Sequence, residues 1–353
     1  MGTWEVGHKS DTMFLREVRP AGRSYRRLFT FLPRWFATSV SDTPQPKVFD
    51  RELKFRQRDL SFQGEESEYY DYLRQEVSAR LVDRLDDITR AFPNALEIGS
   101  HRGHFLKRLL KESEDREDVC GGIETLTQLD SSQHAFDEMD AYSKLQKSVN
   151  IRTLCGDEER LGSLFAENSF DLVVSSMAMH WVNDVPGVLN SICKVLKPDG
   201  CFLGVMLGGN TLKELRYCLY LAEQERKGGI SPHTSPFAGA SDISSLIHAA
   251  GFQIQTVDVD TVQIGYPNMF ILMEHLQRMG EGNASIGRQY NVGRDTFLSA
   301  AAIYQKLYGM EDGTIPATFQ VMYMIGWKHH DSQPKPKRRG SQEKPIPGKI
   351  NRG

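Results

Sequence analysis

Apolar residues along the chain follow two patterns, one typical of helices and one of buried strands. Between residues 69 and 90 they recur every fourth position, which predicts a helix with one apolar core stripe: Tyr69, Leu73, Val77, Leu81 and Leu85. Short apolar runs predict strands at 95–98, in a run that ends at 130, and at 149–154, 170–176 and 201–207. Strands that alternate with helices favour an α/β fold with a mostly parallel sheet and helices on both faces.

The second half of the chain continues these patterns. It predicts helices at residues 188–196, 211–227, 241–250, 266–280 and 294–308, and strands at 253–258 and 318–327. The loop 228–237 contains two prolines and separates two of the helices. It is long enough to be a lid over a site, and a plain connector is the alternative.

The stretch around Glu97 combines a strand, a tight turn and a helix start. Its spacing is Glu97-x-Gly99-x-x-x-Gly103, with Ser100 in the turn and His101 where such patterns usually have a middle glycine. Bare backbone at a helix N-terminus lets a cofactor approach unpaired N–H groups. A carboxylate there would repel a pyrophosphate but attracts an ammonium and a sulfonium, so the cofactor we infer is S-adenosylmethionine. An ordinary strand–turn–helix corner is the alternative.

Acidic residues follow the next two predicted strands. Asp130 ends the second strand, where an acid takes ribose hydroxyls in nucleoside-binding folds, and Glu124 competes for this role if the strand ends earlier. Asp157 follows the third strand and is a candidate acceptor for an adenine amino group, or the N-cap of the next helix, or both. Because ligands of parallel sheets bind at the carboxyl ends of the strands, we expect Glu97, Asp130 and Asp157 to converge.

The fourth predicted strand leads into four further candidate site residues. Ser176 and Met177 lie at its carboxyl end and are predicted to contact the cofactor. His180 is the best-placed candidate for a general base, and Trp181 is a candidate for stacking on adenine or facing a cation. Ordinary packing is the alternative for both, and it is the more common situation for a tryptophan.

Composition narrows the possible classes of function. The chain has 353 residues, 39% hydrophobic and 25% charged, with a net charge of −3, so overall charge gives no support to nucleic-acid binding. Five cysteines without a C-x-x-C pair fit a reducing compartment and do not indicate zinc. No apolar run reaches the roughly 18 residues of a membrane-spanning helix. Membrane association is therefore expected to be peripheral or through a partner.

The two ends of the chain differ from its middle. Residues 13–40 carry six arginines against one acid, with bulky apolar residues between them, and we interpret residues 1–40 as a disordered mitochondrial transit peptide. A disordered basic arm is the alternative. Residues 331–353, rich in proline, lysine and arginine, are predicted to be a disordered basic tail. Residues 41–330 form the predicted folded domain, with helical insertions.

Several motifs resemble known families. The corner at Glu97, the strand at 170–176 and the turn at 196–200 resemble class I S-adenosylmethionine-dependent methyltransferases, which implies a doubly wound, mostly parallel seven-stranded sheet with an antiparallel last strand. More specific matches are Asp171-Leu172-Val173-Val174-Ser175-Ser176 with His180-Trp181-Val182-Asn183-Asp184, Gly208-Gly209-Asn210-Thr211-Leu212, Ser231-Pro232-His233, Tyr266-Pro267-Asn268-Met269-Phe270, and Pro316-Ala317-Thr318-Phe319-Gln320 through Gly326-Trp327-Lys328. These are similar to a family of mitochondrial assembly factors of NADH:ubiquinone oxidoreductase (complex I), over roughly residues 48–331.

The resemblance implies more than the residue spacing does. It implies a matrix protein, peripheral to the inner membrane, that hydroxylates an arginine of an iron–sulfur subunit of complex I early in assembly, together with a small partner assembly factor. Hydroxylation requires an oxidant, commonly iron held by two histidines and a carboxylate. The only His-x-Asp spacing, at His329 and Asp331, borders the predicted tail, so no metal site is predicted. A conventional S-adenosylmethionine-dependent methyltransferase and a non-catalytic assembly scaffold are the alternatives.

Overall fold

The structure, a computed structural model, describes residues 4–8, 11–17, 47–64, 66–114, 119–137 and 149–335. Its α-helices within these ranges are α1 (Arg51–Ser61), α2 (Tyr72–Asp86), α3 (His104–Ser113), α4 (Leu161–Leu164), α5 (Val185–Val195), α6 (Lys213–Lys227), α7 (Ala240–Ala249), α8 (Met269–Arg278) and α9 (Arg294–Tyr308). Short 3₁₀-helices lie at Ser67–Asp71, Cys120–Gly122, Gln133–Phe136, Glu158–Arg160 and Met179–Trp181. None of these described helices has the length and apolar character needed to cross a bilayer.

The strands form one sheet. They are β1 (Trp4–His8), β2 (Asp11–Glu17), β3 (Asn94–Ile98), β4 (Thr125–Asp130), β5 (Asn150–Cys155), β6 (Phe170–Ser176), β7 (Leu196–Leu207), β8 (Phe252–Tyr266) and β9 (Ile315–Lys328). Their order across the sheet is β1-β2-β8-β9-β7-β6-β3-β4-β5. Strands β3 to β7 run parallel, and β9 is antiparallel to both of its neighbours, β7 and β8.

Seven of these strands, β3 to β9, make the sheet that the sequence predicted, and its antiparallel last strand is confirmed as well. The difference is at the N-terminus, where β1 and β2 form an antiparallel pair that extends the sheet beside β8. These two segments lie inside residues 1–40, and the division of the chain into a transit peptide, a folded domain and a tail stays a prediction. The remainder of that segment and residues 336–353 lie outside the described residues, and the transit peptide stays a prediction.

Apolar residues cover both faces of the sheet. On one face, Leu73, Val77, Leu81 and Leu85 of α2 are buried, as the four-residue recurrence predicted, while Tyr69 is partly exposed in the preceding 3₁₀-helix. On the other face, a second cluster contains four buried residues of α5, at Val188, Leu189, Ile192 and Val195. Burial of each such side chain contributes about 1.5–3 kcal/mol to folding. The two clusters therefore hold the strands, and with them the site, in a fixed register.

Strand β8 is much longer than the predicted strand at 253–258. It pairs with β9 as far as Tyr266, which lies opposite Ile315. The acids Asp258 and Asp260 lie at and just beyond the predicted end of the strand. They are held by helix α2, since Arg84 donates to Asp258 at 2.6 Å and Arg80 donates to Asp260 at 3.2 Å. Helix α9 lies where it was predicted, and most other predicted helices differ from the structure by a few residues at their ends.

Helix α1 was not predicted, and it lies near the carboxyl ends of the parallel strands. Its N-terminal neighbour Phe49 forms a bridge with Ser285, and Asp50 N donates to Ala284 O at 2.8 Å. The Asp50 side chain caps the helix by accepting from Leu53 N at 3.0 Å. This docking brings α1, the 3₁₀-helix at Met179–Trp181 and the segment after α8 to the same edge of the sheet.

Candidate functional site

The backbone between β3 and α3 has the shape of a cofactor-binding turn, and we call residues 97–103 the glycine corner. Gly99 has φ +73°, and a Cβ there would lie 2.5 Å from the Ala178 Cβ, so only glycine fits. Gly103 caps α3 in the left-handed conformation. His101 has φ +48° and thus keeps the backbone conformation that favours glycine, although it carries a side chain. Its ring stacks on Phe62 at 4.6 Å, toward the end of α1.

Glu97 is the predicted acid of the glycine corner. It is fully buried, and its Oε2 accepts a 2.7 Å hydrogen bond from Gln128 Nε2, whereas Oε1 has no partner among the described residues. Burial raises its pKa to about 8; the Gln128 hydrogen bond opposes this shift and the nearby Asp130 adds to it. The buried Oγ of Ser100 also lacks a partner within the described part of the chain. Glu97 Oε1 and Ser100 Oγ thus keep hydrogen-bonding capacity that the described residues do not use.

Asp130 lies at the carboxyl end of β4, as predicted. Its Oδ2 accepts from His101 N at 2.9 Å and its Oδ1 accepts from Ser132 N at 2.9 Å, so the carboxylate fixes two neighbouring turns. Glu124 precedes β4 and is exposed at the opposite end of the strand. The structure therefore selects Asp130 over Glu124 as the acid at this edge. Its contact with ribose hydroxyls stays a prediction.

Asp157 follows β5 and has the structural role that was one of its two predicted alternatives. Its side chain caps the next 3₁₀-helix by accepting from Glu159 N at 3.0 Å. The same Oδ1 accepts from Arg51 Nη2 of α1 at 2.7 Å. The adenine contact predicted for Asp157 stays a prediction, and α1 already uses this carboxylate.

Ser176 and Met177 border the glycine corner from the neighbouring strand. Both are buried, and the carbonyl oxygen of Ser176 would lie 3.1 Å from a Cβ at Gly99. Met177 has φ +50°, and its N–H donates to Val205 O of β7 at 3.1 Å. Strained backbone of this kind clusters at functional sites. The structure brings these two residues together with Glu97, Gly99, Ser100 and Asp130 at one edge of the sheet.

The predicted catalytic residues His180 and Trp181 surround a buried carboxylate from the segment after α8. His180 Nε2 and Trp181 Nε1 both donate to Glu281 Oε2, at 3.0 and 2.7 Å, and Arg74 Nη2 donates to Glu281 Oε1 at 2.6 Å. Burial opposes ionisation of Glu281, but His180, Arg74 and Lys54 hold its pKa well below its ordinary value. We call these five residues the Glu281 cluster.

Lys54 of α1 completes the Glu281 cluster. Its ammonium lies 3.2 Å from the centroid of the Trp181 ring and donates to Gly280 O at 3.0 Å and Gly282 O at 2.8 Å. Burial lowers the pKa of Lys54 well below its ordinary value, and Glu281 opposes this shift. Trp181 was predicted to stack on adenine or to face a cation. In the structure it faces a cation of the chain itself.

Comparisons with known proteins show which families the chain resembles. The methyltransferase domain family matches residues 96–204. An arginine-hydroxylase NDUFAF5 from Danio rerio is 48% identical over 305 residues, which cover 86% of this chain and 89% of that protein. The protein of that name from Homo sapiens is 46% identical over 306 residues, with 86% and 84% covered. The chain belongs to the NDUFAF5 family. A malonyl-[acyl-carrier protein] O-methyltransferase from Methylovorus is 31% identical over 264 residues, with 72% and 82% covered.

Membership of the NDUFAF5 family confirms the resemblance that the sequence motifs indicated. The methyltransferase-like fold class is confirmed by the matched domain and by the strand order described above. The NDUFAF5 relatives are named mitochondrial and are named arginine hydroxylases. These names do not assign a role to any single residue of the site, so the roles of His180, Trp181 and the cofactor residues stay predictions.

Helix α1 supplies the site residues that sequence reasoning missed in this NDUFAF5 family member. Arg51, Lys54 and Arg58 share one face of the helix, and Arg58 donates to Ser131 Oγ at 2.8 Å and to Glu158 at 3.3 Å. Their spacing of three and four residues is helical, but the face is basic rather than apolar. A helix that packs a polar face inward escapes a search for apolar stripes. The signal was a basic stripe at helical spacing.

The structure also brings together three side chains that could bind a metal ion, a set that the sequence did not predict. Asp71, His101 and His104 are all buried, and one ligand atom from each lies within 4.8 Å of the others. By contrast, His329 and Asp331, the only His-x-Asp spacing, are 3.8 Å apart with side chains 65% and 96% exposed. Asp71 precedes the glycine corner by a whole helix and a strand. No local spacing could have paired it with the two histidines.

Proposed function

We propose that this chain is a mitochondrial arginine hydroxylase that modifies an iron–sulfur subunit of complex I during early assembly. The observation that carries the proposal is its identity of 46–48% with two proteins named arginine-hydroxylase NDUFAF5, over 86% of the chain. The same proposal places it in the matrix after import through residues 1–40, peripheral to the inner membrane, with a small assembly factor as partner.

S-adenosylmethionine is the cofactor that the glycine corner fits. Glu97 Oε1 and Ser100 Oγ are buried polar atoms without partners among the described residues, and a cationic amino-acid moiety would satisfy them. Glu97, Gly99, Ser100, His101, Gly103, Asp130, Ser176 and Met177 would hold it. When bound, it supplies a sulfonium cation with an activated methyl group. The protein supplies a carboxyl group that ionises readily only when such a cation is present.

His180 is the proposed general base. Its Nε2–H donates to Glu281 at 3.0 Å, which fixes the tautomer and leaves a lone pair on Nδ1. Nδ1 has no hydrogen-bond partner among the described residues. Burial lowers the pKa of His180, and Glu281 opposes that shift, so the ring is neutral near pH 7 and can accept a proton. Trp181 is proposed to form the wall of the site beside it.

Mass spectrometry of the iron–sulfur subunit tests the proposal. Cells that lack this chain should show an unmodified arginine, and complementation with the natural chain should restore the mass of one oxygen atom. Complementation with His180→Gln should restore the protein but not the modification. An arginine that stays hydroxylated without the chain would reject the proposed activity.

A conventional methyltransferase is the second candidate. Two observations favour it: the methyltransferase domain match at residues 96–204, and the relative named malonyl-[acyl-carrier protein] O-methyltransferase. It predicts that radiolabel moves from methyl-labelled S-adenosylmethionine to a mitochondrial acceptor when the purified chain is added. If the methyl group is transferred to an acceptor and no oxygen is added to the iron–sulfur subunit, the chain is a methyltransferase and not a hydroxylase.

The same experiments separate catalysis from a scaffold role. In the scaffold alternative, complex I assembles normally with Glu97→Ala and Asp130→Ala combined, because neither residue is needed for docking. In the proposed function, that double variant fails to modify the arginine, and circular dichroism shows whether it folds. Native gel electrophoresis of complex I beside the mass spectrum distinguishes the two outcomes.

A further inference from the structure

We propose that Asp71, His101 and His104 bind a divalent transition-metal ion, with iron(II) as the natural ion. The three side chains come from the 3₁₀-helix before α2, the glycine corner and the first turn of α3. Two histidines and one carboxylate are the donor set of non-haem iron(II) sites, and they also suit zinc and cobalt. We call these three residues the histidine cluster. The proposal that the cluster binds a metal ion does not depend on the proposed hydroxylation. The choice of iron(II) as the natural ion does rest on that proposed function.

Two of the three distances between ligand atoms in the histidine cluster fit coordination of one ion, and the third, between His101 and His104, is at most 4.8 Å. His104 Nε2 lies 3.0 Å and His101 Nδ1 lies 3.8 Å from Asp71 Oδ2. Ligands that are each about 2.1 Å from an ion are about 3.0 Å apart at a right angle and about 4.2 Å apart when opposite. Both observed distances lie in this range. The ligand atoms therefore need no large movement to meet at one ion.

The tautomer of His101 is the observation that points to a ligand. The Ser61 hydroxyl donates its only proton to Arg58 O at 2.6 Å, so toward His101 Nε2, 3.3 Å away, it acts as an acceptor. Nε2 must then carry the proton, and Nδ1 presents a lone pair. That lone pair faces the Asp71 carboxylate and has no hydrogen-bond partner among the described residues. A cation between the two groups would satisfy both.

Ser61 then has the role of an outer-shell residue in a metal site. A metal-bound histidine nearly always donates its second N–H to an oxygen, which orients the ring. Ser61 Oγ accepts that bond from His101, and the ring is further held by stacking on Phe62 at 4.6 Å. His101 is therefore pre-oriented. His104 donates to Asp71 in the ion-free arrangement, and an ion would take the place of that proton.

The histidine cluster already has two cationic neighbours, Arg102 and Arg74, whose repulsion an ion must tolerate. Arg102 Nε lies 3.1 Å from Asp71 Oδ2, and its Nη2 donates to Ser61 O at 3.2 Å and to Ser67 Oγ at 2.7 Å. A carboxylate oxygen has two lone pairs, so Oδ2 can be shared between Arg102 and an ion. This competition predicts moderate rather than very tight binding.

Metal analysis of the untagged full chain tests the proposal. After anaerobic incubation with iron(II) and gel filtration, inductively coupled plasma mass spectrometry should find about one iron per chain. Asp71→Asn, His101→Gly and His104→Gln should each weaken binding at least roughly 100-fold, and Ser61→Ala about 10- to 100-fold. His101→Gly suits the backbone, because φ +48° favours glycine. His134→Gln, an exposed histidine, and the pair His329→Gln with His330→Gln should bind like the natural chain.

Two results would overturn the proposal: an iron content near zero in the natural chain, or iron that remains in all three ligand variants. Circular dichroism shows whether the variants fold. If they do not, X-ray absorption at the iron edge decides with the natural chain, since the proposal requires two imidazole ligands and fails without them. If the chain binds no metal but the arginine is still hydroxylated, the proposed metal site is rejected and the proposed function is not.

Discussion

Two buried glutamates at the same edge of the sheet are held in opposite ways. Glu97 at the glycine corner accepts one hydrogen bond from Gln128, its second oxygen has no partner among the described residues, and burial raises its pKa to about 8. Glu281 is also buried, but it accepts from Arg74, His180 and Trp181, and its pKa lies well below the ordinary value despite burial.

The difference separates structural from ligand-binding chemistry. A buried carboxylate whose partners all come from the fold is part of what holds the fold together, and removal of any partner leaves a buried charge. A buried carboxyl group with an open oxygen stays protonated until a cation arrives. By this criterion Glu281 keeps the edge of the sheet assembled and orients His180, and the glycine corner is the part that is ready for the cofactor.

Glu281→Gln is expected to have the largest effect on stability. The substitution removes the negative charge between Arg74, His180 and Lys54, and breaking a buried ion pair costs about 3–5 kcal/mol. Urea denaturation followed by circular dichroism measures the loss. Glu274→Gln is the matched control, because Glu274 is half exposed on α8 and should change the free energy of unfolding by less than about 0.5 kcal/mol. A loss below 1 kcal/mol for Glu281→Gln would contradict this assignment.

The pH dependence of that loss has a definite sign. The pKa of Glu281 is lower in the folded chain than in the unfolded chain, so its contribution is complete above the unfolded value of about 4.3 and is lost as the pH falls below it. The free-energy difference between the natural chain and Glu281→Gln should therefore shrink from pH 5 toward pH 3. A difference that stays constant over this range would show that charge is not the cause.

Glu97→Gln is expected to lower the affinity for the cofactor. Loss of a charge-assisted hydrogen bond to a cation is worth about 1.5–3 kcal/mol, so affinity for S-adenosylmethionine should fall roughly 10- to 100-fold in calorimetric titration. In the natural chain, affinity should rise as the pH increases through about 8, because a cation needs the ionised carboxylate. The variant should show no such rise, and Glu124→Gln, exposed at the other end of β4, should bind like the natural chain.

The same variant gives a stability result of opposite sign to that of Glu281. The pKa of Glu97 is raised in the folded chain, so its contribution is present below the unfolded pKa and is lost as the pH rises through about 8. Glutamine cannot ionise, and Glu97→Gln should therefore be more stable than the natural chain above pH 8. Equal urea midpoints of the two chains at pH 9 would show that Glu97 is not desolvated as the structure indicates.

Lys54→Met tests the structural role of the Glu281 cluster. Methionine keeps the length of the side chain but leaves the carbonyl oxygens of Gly280 and Gly282 without their donor, which costs about 1–3 kcal/mol. Denaturant titration measures this cost, and Trp181 fluorescence should change because the cation leaves the ring. Lys213→Met, on an exposed side chain beside Glu214, is the control and should be near neutral.

Most of the fold could be predicted because its signals are local. Strand β6 and helix α9 have the predicted bounds, since an apolar run and a regular apolar spacing each lie within one element. Strand β8 was cut short at Asp258 because the partners of its acids, Arg84 and Arg80, belong to another helix. Helix α1 was missed because its inward face is basic rather than apolar.

The residues of the candidate site also differ in whether their signals are local in the sequence. Glu97 and Asp130 could be predicted because a short stretch of backbone and the end of one strand identify them. Glu281 and Asp71 could not be predicted, because the role of each depends on partners that are distant in the sequence. The partners of Glu281 are Arg74 and His180, and those of Asp71 are the two histidines. Distant partners are set by the packing of whole elements, which residue spacing does not encode.

Asp157 lies between these two cases, and Asp157→Ser is the smallest effect we predict. Serine retains an N-cap oxygen for Glu159 N, so only the ion pair with Arg51 is lost, and a partly exposed pair is worth up to about 1 kcal/mol. Because α1 already uses this carboxylate, S-adenosylmethionine affinity should stay within about threefold, as calorimetry can determine. Asp157→Ala should cost about 1 kcal/mol more by removing the cap. A roughly tenfold drop in affinity with Asp157→Ser would instead show that the carboxylate binds adenine, so that Asp157 would be a ligand-binding acid like Glu97.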